Sequence, residues 1–96
     1  MKNSLIIFEQ YLNSLSELQG FPITMGVFET DKKINLWCVI KDNDDATETK
    51  LFTAEAKVNG SNINFGVLIE TTVVEQSDQI KIPEQYQVIY DQSLFD

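Results

Sequence analysis

Two segments of alternating apolar residues, separated by a short polar connection, constrain the fold of this chain more than any other feature. They run from Pro22 to Phe28 and from Ile34 to Ile40, with Glu29–Lys33 between them. A period of two is that of a β-strand, and so short a connection is typical of an antiparallel hairpin. The second segment is apolar on both faces, which favours a position in the middle of a sheet. The pattern therefore predicts a central hairpin.

The residues before the hairpin have the period of a helix. Between Asn3 and Gln19 the apolar side chains recur at i, i+3, i+4 and i+7, which predicts one amphipathic helix. Its apolar stripe consists of Phe8, Tyr11, Leu12, Leu15 and Leu18. Gly20 stands where a left-handed residue often ends a helix, so we expect Gly20 to have that role.

The segment Ala46–Val58 fits two structures. As a strand, the even-numbered residues Phe52–Val58 would share one apolar face, and a hairpin turn would follow. As a helix, Asp44 or Asp45 would cap its start and Gly60 would close it. We favour the helix because these start and stop signals agree with the good helix formers between them. The strand remains the alternative.

Three further segments complete the chain. Asn62–Val74 is rich in β-branched residues and predicts a strand, Ile80–Pro83 a short extended piece, and Tyr86–Tyr90 a last strand. Leu94 and Phe95 could pack back onto the domain. We therefore expect residues 1–96 to form a single α+β domain. It would have two layers, with a mainly antiparallel sheet of about four strands and an N-terminal and a second helix on one face.

The charge balance limits the partners. Fifteen acidic residues and seven lysines, with no arginine and no histidine, give a net charge of −8. Phosphate binding needs clustered basic side chains, so we expect neither nucleic acid nor an anionic membrane surface as a direct partner. No segment has the pattern of a membrane span or a secretory signal. The single cysteine, Cys38, cannot form a disulfide within the chain, and we expect a cytoplasmic protein.

The missing residue types also limit the chemistry. Without histidine there is no imidazole base and no Ser/His or Cys/His pair, and without arginine there is no bidentate phosphate clamp. Cys38 lies in the apolar run Leu36–Ile40, whereas a reactive thiolate needs exposure and nearby positive charge. We therefore expect a buried, structural thiol, no enzyme activity and no cofactor.

Two features are candidate partner-binding residues. Asp42, Asp44, Asp45 and Glu48 form the densest acidic group in the chain. They would bind a divalent cation, face a basic partner, or form a solvated loop that caps the following helix. They lack the glycine and the distal glutamate of a calcium loop. Trp37 points to the strand face opposite Cys38, where it would anchor a partner or a second copy unless the monomer covers that face.

The order helix, strand, turn, strand, acidic loop, helix, strand resembles that of small nucleotidyltransferase-fold proteins over roughly residues 22–90. That family carries Gly-Ser at the end of the first strand and paired carboxylates on the second, which hold Mg²⁺. Gly26-Val27 stands at the first position here, and Lys33 and Asn35 stand where the carboxylates would be. The resemblance implies a relative without catalysis.

From the residues we expect a non-catalytic acidic binding protein that acts through protein–protein contact, of the inhibitor, immunity or accessory type. Its partner would be a basic protein, and the chain would also form a homodimer. The resemblance gives the alternative, which is a nucleotide- or metal-binding protein derived from a nucleotidyltransferase fold.

Overall fold

The described part of the chain contains two helices and four strands. A computed structural model describes residues 2–92, with side chains from Ser4 onward, so the expected packing of Leu94 and Phe95 lies outside the described residues. The elements in chain order are α1 (Lys2–Leu18), β1 (Thr24–Glu29), β2 (Lys33–Ile40), α2 (Asp45–Ser61), β3 (Leu68–Glu75) and β4 (Gln87–Asp91). Short 3₁₀ turns at Ile63–Phe65 and Gln76–Asp78 stand on either side of β3.

The four strands form one mixed sheet in the order β3-β2-β1-β4. β1 and β2 pair as the predicted antiparallel hairpin, with Met25 opposite Cys38 and Val27 opposite Leu36. β4 pairs antiparallel with β1, while β3 reaches β2 through α2 and runs parallel to it. The expected α+β class and the interior place of the second hairpin strand are thus confirmed, with one parallel pair in a mostly antiparallel sheet.

Both helices pack on one face of the sheet and share one core with it. The buried members from α1 are Ile7, Tyr11 and Leu15, those from α2 are Leu51, Ala54 and Val58, and those from the sheet are Met25, Ile34, Leu36, Cys38, Ile40 and Ile69. On β2 every second residue is buried, as a strand with one face against a helical layer requires. The face of β2 that lies in the core is the one that carries Cys38, whose burial we expected.

The segment that fitted either a helix or a strand is a helix, as we favoured, but it ends later than expected. Gly60 lies inside α2, and Asn62 is the residue that follows the last turn. The buried amide of Asn62 donates to the oxygens of Val58 and Gln10, both at 2.7 Å. These bonds hold the chain in a turn, so the predicted strand from Asn62 is wrong for its first residues and begins only at Leu68.

The connection from β3 to β4 covers part of the sheet face opposite the helices. Since β3 and β4 are the two edge strands and run in the same direction, the chain must cross the whole sheet between them. A methyl group on Gly26 would lie 3.3 Å from Cβ of Tyr86 and 3.5 Å from Ile82, both of which belong to this connection. The Tyr86 ring also lies 5.8 Å from the rings of Trp37 and Phe28.

Gln19, and not Gly20, is the left-handed residue at the end of α1. Its φ is 56°, and the amides of Gln19 and Gly20 donate to the carbonyls of Ser16 and Leu15. This pair of hydrogen bonds is the Schellman motif. Gly20 is required for another reason, because a methyl group there would lie 2.6 Å from Cβ of Lys50 on α2. The close approach of α1 to α2 could not be read from the sequence.

Substitutions of Gly20 and Gln19 separate the close approach of the two helices from the left-handed conformation at the end of α1. We expect Gly20→Ala to lower the free energy of unfolding by about 1–3 kcal/mol, because Cβ of Lys50 is fixed to the α2 backbone and cannot move aside. Gln19→Gly should raise it by about 1 kcal/mol, because glycine adopts a positive φ without steric cost. Urea unfolding of both variants measures this. If Gly20→Ala leaves the free energy of unfolding unchanged while Gln19→Gly lowers it, the roles assigned to these two residues are wrong.

Candidate functional site: an acidic end of the sheet

The parallel pairing of β2 with β3 brings two acidic segments together at one end of the molecule. Ile40 lies opposite Glu75 at the carboxyl ends of these strands. The loop Lys41–Asp44 therefore lies beside the 3₁₀ turn Gln76–Asp78. We call the resulting group of carboxylates the acidic end, and it comprises Asp42, Asp44, Asp45, Glu48, Glu75 and Asp78.

Backbone amides tie the two segments to each other. Ser77 N donates to Oδ1 of Asp42 at 2.8 Å, and Asn43 N donates to Oε2 of Glu75 at 3.3 Å. Within the turn, Glu75 N donates to Oδ2 of Asp78 at 3.0 Å. Each of these carboxylates thus accepts a hydrogen bond from an N–H group that the fold keeps in one place. Their charges are held in fixed positions, which the sequence alone does not show.

Asp44 caps the start of α2. Its two carboxylate oxygens accept from Thr47 N at 3.1 Å and from Oγ1 of Thr47 at 2.6 Å. These two hydrogen bonds hold the pKa of Asp44 below its usual value, and the charges of Lys41 and Lys50 add to the effect. The carboxylate also lies at the positive end of the helix dipole. The expected capping role of Asp44 is therefore seen in its contacts.

Asp45 and Glu48 lie in the first turn of α2, beside an exposed groove. Asp45 is exposed and Glu48 half-buried. With Phe52 and the small side chains of Thr49, Thr53 and Ala56 they line a shallow, open groove along the outer face of the helix. Phe52 is 39% exposed there, so the groove offers an aromatic surface next to two carboxylates. Such a combination suits a protein partner better than a small ion.

The acidic end supplies fixed negative charge and little else. Among the described residues, no group of three or more Asp, Glu, Cys or His side chains is arranged to hold a metal ion. The carboxylates of Asp42, Glu75 and Asp78 each accept a backbone hydrogen bond and keep further lone pairs for a cationic group. The arrangement can therefore attract and orient a cationic group.

The structure brings together the four acidic residues that the sequence singled out, and adds two. Glu75 and Asp78 follow Asp42 by more than thirty positions, and their hydrogen bonds to the loop are the reason for including them. The signal that could have found them is the crossover from β2 through a helix to β3, which places the carboxyl ends of parallel strands at one edge.

Trp37 lies apart from the acidic end, on the sheet face opposite the helices. It is half-buried, and its ring makes an edge-to-face contact with the ring of Tyr86. Its Nε1 is buried and has no hydrogen-bond partner in the described part of the chain. The connection between β3 and β4 therefore covers part of the tryptophan. Its role as a partner contact stays a prediction.

The residues that carry the nucleotidyltransferase resemblance have structural contacts. Lys33 forms an exposed ion pair with Glu70 at 2.8 Å, and Nδ2 of Asn35 donates to the carbonyl of Phe28 at 3.1 Å. Gly26 lies under the connection between β3 and β4. Nothing in these contacts tests common descent, and the resemblance stays a hypothesis.

Cys38 is fully buried in the core, as its strand predicted. Burial raises the pKa of the Cys38 thiol from 9.0 to about 12. Burial, together with Cys38, also raises the pKa of Tyr11 far above its usual value. Both groups are therefore kept neutral by the core at physiological pH, and neither is available as a nucleophile.

The raised pKa of Cys38 predicts a loss of stability in alkali. The unfolded chain loses the thiol proton above about pH 9 while the folded chain keeps it to about pH 12, so this stabilisation is complete below pH 9 and declines above it. Between about pH 7 and 10, wild type should lose about 1 kcal/mol more of its unfolding free energy than Cys38→Ala. Urea unfolding at both pH values measures it, and equal losses would contradict the burial of an un-ionised thiol.

Neither helix in the described part of the chain is long and apolar enough to cross a membrane. No protein-family model matches the chain, and neither a curated protein nor a solved structure is similar enough to count as a match. The function must therefore be argued from the contacts and charges of the chain itself.

Proposed function

We propose that this chain is a non-catalytic binding protein that docks its acidic end onto a basic protein, as an inhibitor, immunity or accessory protein does. The observation that carries the proposal is the set of hydrogen bonds between the Lys41–Asp44 loop and the Gln76–Asp78 turn. They join carboxylates from two distant parts of the chain into one surface with fixed geometry.

Charged side chains that are already held in place in the free protein favour binding, because the partner does not have to immobilise them. A partner that meets flexible acidic side chains must immobilise each of them, at a cost of about 0.5–1.5 kcal/mol per side chain. Asp42, Asp44 and Glu75 already accept hydrogen bonds from backbone or threonine donors. Their charges should therefore speed association and fix orientation at a smaller entropic cost.

The groove along α2 supplies the other half of a protein interface. Charged rims steer and align partners, whereas buried aromatic anchors contribute most of the affinity. Phe52 lies in the groove beside Asp45 and Glu48, so one surface combines both kinds of contact. We propose that lysine or arginine side chains of the partner face the two carboxylates while an apolar side chain packs on Phe52.

The net charge of −8 supports a basic protein rather than nucleic acid as the partner. It would also steer a basic protein over a distance of about 10 Å at an ionic strength of about 0.1 M, and over a longer distance at lower salt. We propose a cytoplasmic setting, in keeping with the single reduced cysteine in the core. The rival proposal, a nucleotide- or metal-binding protein, has the order of elements in its favour.

Affinity capture at two salt concentrations tests the proposal. Immobilised protein should retain a basic protein from a native lysate at low salt and release it at high salt, because exposed charge pairs are screened. If no protein is captured, or if the amount captured does not depend on salt, docking by charge is contradicted.

The rival proposal is tested by measuring the melting temperature with Mg²⁺, Ca²⁺ or nucleoside triphosphates, since a ligand bound only by the folded state raises Tm. A rise would favour the rival.

A further inference from the structure

The side chain of Asn59, near the end of α2, joins the helix to the outer edge of the sheet. Its Oδ1 accepts a hydrogen bond from Ile69 N at 2.8 Å, and its Nδ2 donates to Ile69 O at 2.9 Å. Because β3 is an edge strand, these two backbone groups lie on the side where no further strand is paired. The Asn59 carboxamide satisfies both of them and so covers this part of the edge.

Gly60, the next residue, is not required by packing or by backbone conformation. A methyl group on Gly60 would meet no atom within 4 Å, and its φ does not lie in the positive range. Gly60 lies inside α2, where glycine is less favourable than alanine because it loses more conformational freedom on folding. Alanine would therefore fit at this position and stabilise the helix. The presence of glycine calls for an explanation from chemistry.

An asparagine that is followed by a glycine can react with its own backbone. The glycine nitrogen attacks Cγ of the asparagine and forms a new N–C bond, the bond from Cγ to Nδ2 breaks, and the nitrogen's proton leaves with the released ammonia. Water then opens the five-membered ring at either of its two carbonyls, which gives aspartate or isoaspartate. Glycine favours the first step because it has no side chain to hinder the approach.

The fold holds both reacting groups in place. In an α-helix the backbone nitrogen donates to the carbonyl of the residue four positions earlier, so the helix restrains the Gly60 nitrogen. The Asn59 carboxamide is held by Ile69 at both its oxygen and its nitrogen. The reaction therefore requires the last turn of α2 to open and to release β3. Opening a helix end costs less free energy than unfolding the whole domain.

We propose that Asn59 is a site of spontaneous deamidation that the fold restrains, and that its reaction uncovers the β3 edge. Aspartate at this position keeps an acceptor for Ile69 N but has no donor for Ile69 O, which then faces a carboxylate oxygen. Isoaspartate adds a carbon to the backbone and disrupts the last helical turn. Either product leaves a backbone group of the edge strand unpaired, and the change accumulates with the age of the molecule. The proposal does not depend on the acidic end.

Peptide mapping by mass spectrometry of wild type and Gly60→Ala, kept at slightly alkaline pH with and without urea, tests the chemistry. In urea, wild type should convert Asn59 faster than Asn13, which serine follows, and Gly60→Ala should lose this difference. Folded wild type should convert Asn59 measurably but at least about tenfold more slowly than in urea, which corresponds to an opening free energy of about 1.4 kcal/mol. No conversion in the folded chain, equal rates with and without urea, or equal rates for wild type and Gly60→Ala in urea would overturn the proposal.

Urea unfolding of Asn59→Asp tests the effect on the β3 edge, with Asn64→Asp as the matched control. Both variants add the same charge, but Asn64 is exposed on the 3₁₀ turn Ile63–Phe65. Asn59→Asp should unfold at a lower urea concentration than Asn64→Asp, and wild type aged until Asn59 is converted should show a similar loss. If Asn59→Asp does not fold, aged wild type is compared with equally aged Gly60→Ala, which should keep its midpoint. Equal midpoints in either comparison would overturn the proposal.

Discussion

Replacing both Asp45 and Glu48 with lysine is expected to weaken binding to a basic partner by about 30-fold or more. Each change converts an attraction into a repulsion in the groove along α2. Neither side chain takes part in the hydrogen bonds that join the loop to the 3₁₀ turn. The variant should therefore fold, with a small loss of stability from the less favourable charge at the start of α2.

The control for this variant has the same net charge. Glu9 and Glu84 are exposed, on α1 and on the connection to β4. Changing both to lysine alters the total charge equally but leaves the acidic end intact. We expect this control to bind within a few-fold of wild type, with affinities measured by calorimetry on the captured partner. If the two double variants lose affinity equally, the partner responds to overall charge and not to the acidic end.

Leu51→Ala is expected to lower the free energy of unfolding by about 2–5 kcal/mol. Leu51 is fully buried on α2, between the two helices and the sheet. Its carbonyl also accepts the hydrogen bond from the Tyr11 hydroxyl at 3.4 Å. Removal of the side chain leaves a cavity where α1, α2 and the sheet meet, and such a cavity can close only in part. Urea unfolding gives the value.

Phe52→Ala is the matched control, at the next position in the chain. Phe52 is 39% exposed in the groove, so its loss should cost about 1 kcal/mol. The order of the two costs distinguishes the helix from the strand alternative, because alternation would bury Phe52 and expose Leu51. A larger loss for Phe52→Ala would contradict the packing of α2. A Phe52→Ala variant that folds normally but no longer binds the partner would support the groove as its docking surface.

The parts of the fold that were predictable are those in which local periodicity and burial agree. α1 and the hairpin of β1 and β2 each present one apolar face at the period of their own element. α2 was harder, because its apolar residues fit both periods, and the capping signal at Asp44 favoured the helix. The error after Asn62 arose because its side chain reaches Gln10, a contact with no local signal.

Only those residues of the candidate site that are neighbours in sequence could be predicted. Asp42, Asp44, Asp45 and Glu48 are neighbours in sequence, so their grouping needs no fold. Glu75 and Asp78 join them only through the parallel pairing of β2 with β3, which is long-range. In the same way, the sequence alone suggested that Gly20 ends α1. The close approach of Gly20 to Lys50 on α2, which requires a glycine there, has no signal in the sequence. Long-range contacts account for each of these differences.

Photo-cross-linking from the groove tests the central claim, that the acidic end is a protein-docking surface. A photoreactive amino acid in place of Thr49, which lines the groove, is compared with the same residue in place of Glu9 on the exposed face of α1. We predict one adduct with a basic protein from position 49 in native lysate at low salt, and none from position 9. No adduct from position 49, or the same adduct from both positions, would contradict the account.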